Sequence, residues 1–162
     1  MDILTERGHL INALPPASVA MNTPSDIINV ANYHDITFLI QKGAGAVGTA
    51  VISVDVCDTT APGNTAKCGF KYRRQVGGTD TWGAVTDRTA AETFTTIANA
   101  DDMYEISVNT DEIGSTVVNG APGNHYVRLS VAQVDATAVI YGITAILGRA
   151  RYGQNVPVSA IV

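Results

Sequence analysis

Short runs alternating apolar and polar residues, turns rich in glycine and proline, and the lack of any long helical period predict an all-β chain. The expected form is an antiparallel β-sandwich or barrel, a jelly-roll arrangement among the variants. With 162 residues the chain has the length of one domain with a full core. The division expected is an N-terminal arm over 1–22, a β core over 23–148 and a C-terminal tail over 149–162.

The arm is inferred from punctuation. Thr5, Glu6 and Arg7 open a helical turn that Gly8 interrupts, and Pro15 and Pro16 close the segment. The core then reads as strands. Ser25–Val30 is short. Ile36–Lys42 places Ile36, Phe38 and Ile40 on one face, and a turn carrying Gly43, Gly45 and Gly48 follows. Ala50–Cys57 sets Ile52, Val54 and Val56 inward and Ser53 and Asp55 outward, the period of two of a half-buried strand. A loop with Pro62-Gly63 leads to Lys67–Arg74, where Cys68, Phe70 and Tyr72 share a face.

Beyond the Gly77-Gly78 turn, Thr81–Val85 and Thr93–Ile97 are weaker strands. Met103–Val108 alternates well. Asp87–Glu92 and Asp111–Thr116 are candidate helical turns. An exposed turn at Asn119–Asn124 precedes Tyr126–Val134 and Ala138–Gly148. The last carries apolar groups on both faces, as a central strand does.

Hydrophobic residues make up 46% of the chain and charged residues 15%, against a usual charged share of about 25%. Few charges suit a surface that a partner covers. Net charge is −5, and Lys71, Arg73 and Arg74 form the one basic cluster, so no stripe tracks a phosphate backbone and no nucleic acid is expected. The start has no secretory pattern, and no apolar run reaches the roughly 20 residues of a membrane helix. Neither a signal nor a membrane span is expected.

No constellation of residues carries chemistry. His9, His34 and His125 have no ligand spacing. The neighbours Asp101 and Asp102 read as a loop entering a strand, their side chains pointing different ways. A phosphate loop and a nucleophile elbow are both missing. The expectation is therefore a non-enzyme without catalytic residue, metal or cofactor. Cys57 and Cys68 lie eleven apart, but their phases differ, which argues against a bridge unless a bulge realigns them. Trp82 is assigned to the core or an interface, and with Tyr72 it is also a candidate sugar platform.

Apolar residues crowd both ends, and they are poor choices for solvated tails. Leu4, Leu10, Ile11 and Leu14 on one side, with Arg151, Tyr152, Val156, Val158 and Ile161 on the other, are the expected subunit-interface residues. Two such arms on a compact sandwich are a means of clasping neighbours.

The Leu4–Leu14 arm, the Ile36–Gly43 strand, the Val54–Asp58 and Phe70–Arg73 segments, the Tyr126–Leu129 strand and the Arg151–Pro157 tail together resemble a family of small virion proteins of tailed bacteriophages. The resemblance spans most of the chain through compositional motifs. It implies a head decoration, or cement, protein on the outer surface of the capsid, assembled in the bacterial cytoplasm. The implied partners are the major capsid protein and further copies of the chain, a trimer being favoured. The competing readings are a tail, connector or head-fibre component and a carbohydrate-binding sandwich.

Overall fold

The computed structural model describes residues 8–19, 21–44 and 48–151. In chain order the strands are β1 (Gly8–Val19), β2 (Ile28–Asn29), β3 (Tyr33–Lys42), β4 (Ala50–Cys57), β5 (Thr65–Cys68), β6 (Phe70–Gln75), β7 (Thr86–Arg88), β8 (Phe94–Thr95), β9 (Met103–Asn109), β10 (Tyr126–Gln133) and β11 (Val139–Ala150). One helical turn, α1 (Thr110–Ser115), follows β9, with the Asn109 side chain capping it through the Asp111 N–H.

Two antiparallel sheets form an open sandwich. The larger has the order β1-β11-β3-β9-β6-β7, and the smaller has the order β2-β10-β4-β5, with β8 also on β4. Strands β5 and β8 lie end to end along the same side of β4, at Val54–Cys57 and Val51–Ile52. With the β6–β8 excursion set aside, eight strands remain in the orders first-eighth-third-sixth and second-seventh-fourth-fifth. That is the jelly-roll order of two Greek keys.

The period of two accounts for the core. Ile36, Phe38 and Ile40 of β3, Tyr104, Ile106 and Val108 of β9, and Tyr141, Ile143, Ala145 and Leu147 of β11 meet Ile52, Val54 and Val56 of β4 and Val127, Leu129 and Val131 of β10 between the sheets. Strand β11 is central, paired to β1 on one side and β3 on the other. An aromatic cluster closes the sandwich beside β7. Tyr72 stacks on Phe94 with centroids 4.0 Å apart, and Phe70 and Tyr104 stand 6.1 Å and 5.6 Å from Phe94.

Four expectations are corrected. The arm over 1–22 is, through residues 8–19, the edge strand β1, and Ile11 and Ala13 are buried in the core. Prolines are tolerated because an edge strand has one side without ladder partners, and two register shifts, between Asn12 and Leu14 and between Leu14 and Ala17, absorb the kink. The run expected as one strand over Lys67–Arg74 divides at Gly69 into β5 and β6, which belong to different sheets. A side chain at Gly69 would displace the Glu112 carboxylate and crowd the Arg88 carbonyl, so glycine suits this corner. Ser25–Val30 narrows to β2, yet Ser25 still joins β10. Its N–H donates to the Leu129 carbonyl (3.0 Å), and its hydroxyl accepts from the Leu129 N–H (2.9 Å). Asp87–Glu92 is strand and turn rather than helix, whereas Thr110–Ser115 is helical.

Candidate interaction surfaces

Over residues 10–12 of β1, 144–146 of β11 and 37–39 of β3, the outward positions carry no charge. Leu10 pairs with Ile146 and Ile146 with Thr37; Asn12 pairs with Thr144 and Thr144 with Leu39. The first ionised group along this part of β3 is Asp35 at its start, held by Arg149 at 2.5 Å. Pro16 lies over Gly142 and occupies the space a side chain would need. The same sheet becomes charged beyond β3, but its ions are paired. Arg73 meets Glu105 at 2.5 Å, and Lys71 meets Asp87 at 3.1 Å. Such exposed pairs contribute about 0–1 kcal/mol each, and each joins one positive to one negative group.

At one end of the sandwich a buried ionic hub ties β6 and the turn after it to the loop that enters β9. The Asp102 carboxylate, fully buried, accepts from Arg74 Nε (2.7 Å) and Nη2 (3.0 Å), the Gly77 N–H (3.0 Å), Asn99 Nδ2 (2.9 Å) and the Tyr104 hydroxyl (3.3 Å). Burial alone would raise its pKa. The donors from Arg74, Gly77 and Asn99 outweigh that and hold it below the ordinary carboxylate value. Nearby Lys42 is buried, and its ammonium donates to the Gly48 carbonyl (3.0 Å) and the Ile97 carbonyl (2.7 Å). Burial lowers its pKa, partly offset by Asp102. Tyr104, which also accepts from the Ile97 N–H at 2.8 Å, is pushed up to about 12, chiefly by burial.

Two clefts adjoin at β6. One, of about 250 Å³, is lined by Lys71, Arg73, Val85 and Ser107 among others. The other, of about 490 Å³, exposes Asp35, Lys71, Asp87, Arg88 and Glu112. Arg88 lies 5.5 Å from the Tyr72 ring centroid and 3.6 Å from Glu92, and its Nε has no hydrogen-bond partner among the described residues. The two rings considered as a sugar platform are engaged by the chain itself. Tyr72 stacks on Phe94, and the Arg73 guanidinium sits 4.7 Å over Trp82.

The expected interface residues separate. Leu10 is exposed on the neutral face, Ile11 is buried, and Leu14 packs partly against the core. Arg151 is held by its own domain. Its N–H donates to the Asn32 carbonyl (2.8 Å), Nε to the Tyr33 carbonyl (2.9 Å), and Nη2 to Thr110 Oγ1 (2.8 Å) and Asp111 Oδ1 (2.7 Å). Leu4, Tyr152, Val156, Val158 and Ile161 lie outside the described residues. Sequence reasoning missed Lys42 and Asp102; adjacency to Asp101 concealed the latter. Ser53 and Asp55 do face outward, but Arg128 from β10, 3.4 Å from Asp55, helps to cover them.

Cys57 and Cys68 are both free and buried. Burial pushes their thiols up to about 11 and about 12. Of the histidines, His9 bonds the Tyr33 hydroxyl at 3.1 Å, while His34 and His125 are exposed. Among the described residues no three or more His, Cys, Asp and Glu side chains gather as a metal site, and no helix is long and apolar enough to cross a membrane.

No family model and no curated protein matches the chain. Among solved structures it is similar to the SPBc2 prophage-derived protein YomS. The identity is 13%, the alignment covers 90% of this chain and 98% of that one, and the TM-score is 0.41.

Proposed function

We propose that this is a non-enzymatic virion structural protein, a decoration protein that binds the outer surface of a phage capsid and cements neighbouring major capsid protein subunits. The observation that carries the reading is the uncharged stretch of the outer sheet face running from Leu10 and Asn12 of β1 across Ile146 and Thr144 of β11 to Thr37 and Leu39 of β3. Isolated apolar residues on a surface are ordinary, but a continuous neutral area across three strands suits burial by protein. It matches a chain in which 15% of residues are charged. The jelly roll is one of the architectures that virion proteins use, and it is equally a lectin and enzyme fold, so the surface rather than the fold supports the reading.

Residues 8–19 belong to the protein's own sheet, so in this account the clasp comes from faces and loops rather than from that segment. A rigid sandwich presents them at little ordering cost. Many copies on one closed shell add their modest affinities, and association into a trimer would multiply the effect. Quantitative mass spectrometry of purified particles tests the reading. A decoration protein is present in numbers that scale with the capsid subunits. A handful of copies per particle would assign it to the tail or connector, and absence from the particle would end the proposal.

A further inference from the structure

The larger sheet turns one unbroken row of side chains outward across all six of its strands. Leu10 pairs with Ile146, Ile146 with Thr37, Thr37 with Ser107, Ser107 with Lys71 and Lys71 with Asp87. The Thr37 and Ser107 hydroxyls also share a hydrogen bond (2.9 Å). Ser107 and Lys71 line both clefts at β6. The uncharged stretch and the clefts are therefore neighbouring parts of one face.

The cleft of about 490 Å³ combines apolar and ionised lining. Phe70 and Val108 supply apolar surface, and three carboxylates, Asp35, Asp87 and Glu112, stand against two cations, Lys71 and Arg88. Both cations are engaged within the fold. Lys71 meets Asp87 at 3.1 Å, and Arg88 lies 3.6 Å from Glu92. Asp35 is held by Arg149. Glu112 is the lining carboxylate that has neither an ion pair nor a side-chain hydrogen bond among the described residues, and it is exposed. Its position depends on Gly69: a Cβ there would fall on Glu112 Oε1, so the glycine leaves the carboxylate its room.

This lining discriminates between occupants. An anion would meet a negative excess, which disfavours phosphate groups. A metal ion needs several ligands, and no three His, Cys, Asp and Glu side chains gather among the described residues. A purely apolar group would cover Glu112 and leave its charge without a partner, which is costly. A lysine or arginine side chain meets both requirements, with its methylene stem against the apolar lining and its cation on the carboxylate.

We propose that the cleft beside β6, β7 and α1 receives a lysine or arginine side chain of a partner protein, with Glu112 as its counter-ion. The proposal rests on the decoration reading and deepens it: the partner is the major capsid protein, and the basic residue projects from the outer surface of the shell. The uncharged stretch next to the cleft then lies over the surface around that residue.

The test uses the full chain, its variants and expanded empty heads of the phage that encodes it, with Kd read by co-sedimentation. Glu112→Gln keeps the shape of the side chain and removes its charge. It is expected to weaken binding about fivefold and to flatten the salt dependence. Glu112→Arg reverses the charge and should weaken binding about tenfold or more. Asp135→Asn removes the same charge from the exposed loop between β10 and β11, at the opposite end of β11 from the Gly148–Asp35 pair, and should bind as the unmodified chain does. Unchanged melting temperatures confirm that the variants fold. If the unmodified chain binds and both Glu112 variants bind equally well, the basic-residue site is wrong while the decoration reading stands. An equal loss in Asp135→Asn would also overturn the site, because net charge rather than the cleft would then set the affinity. Failure of the unmodified chain to bind overturns the decoration reading and the capsid partner with it.

Discussion

Replacing Asp102 by asparagine is expected to cost about 3 kcal/mol of folding stability. The carboxylate receives two bonds from Arg74 and one each from Gly77, Asn99 and Tyr104. Removing one partner of a buried ion pair costs about 3–5 kcal/mol, because the other charge is left uncompensated. Arg74 keeps 24% of its side chain in solvent, and asparagine retains one acceptor oxygen, so the low end of that range applies. For a chain of this size the melting temperature then falls by about 6–12 °C. Urea unfolding followed by far-UV circular dichroism reads the effect as a lower midpoint at unchanged slope. The acid limb supplies a second readout. The folded-state pKa of Asp102 is depressed below the ordinary carboxylate value by its donors from Arg74, Gly77 and Asn99. Its contribution is therefore complete above the unfolded value of about 3.9 and is lost as pH falls through the folded value. The unmodified protein should lose stability in that window more steeply than Asp102→Asn. A variant within about 0.5 kcal/mol of the parent, with the same acid limb, would refute the hub.

Other outcomes follow from the same structure. Phe38→Ala, at a fully buried site between the sheets, should destabilise by about 3–5 kcal/mol in urea; a loss under 1 kcal/mol would mean the site is not packed as described. With Cys57 and Cys68 buried and their pKa values near 11 and 12, a thiol reagent at pH 8 should leave the native protein unlabelled and modify two thiols in denaturant. Rapid native labelling, or no free thiol after unfolding, contradicts this. Arg151→Ala removes side-chain bonds to Tyr33, Thr110 and Asp111 and should cost about 1–2 kcal/mol; a neutral result would detach the C-terminal root from the domain. Trp82→Ala should cost less than about 1 kcal/mol, since the ring is only half-buried and holds the Arg73 guanidinium 4.7 Å from its centroid.

The strands that could be read from sequence are those with one face in the core and the other in water. In β9, Tyr104, Ile106 and Val108 alternate with Glu105 and Ser107, and the structure keeps that parity. Strand β10 behaves alike. The N-terminal segment misleads because its turn-like residues read as punctuation, whereas Pro15 and Pro16 sit at an irregularity of an edge strand. At Gly69 the alternation of Cys68, Phe70 and Tyr72 continues across a change of sheet, so periodicity gives no sign of it. What crowds that glycine is Glu112, more than forty residues away. The Asp102 hub is invisible for the same reason: Asp102 reads as a loop carboxylate beside Asp101, and its donors Arg74 and Gly77 stand far upstream in the sequence.

The position of the chain in an image reconstruction of the particle tests the central claim most directly. The account predicts a β-sandwich on the outside of the expanded head, repeated with the shell's symmetry across neighbouring capsid subunits. Density confined to the tail or portal, or a bare outer surface in particles that contain the chain, would contradict it.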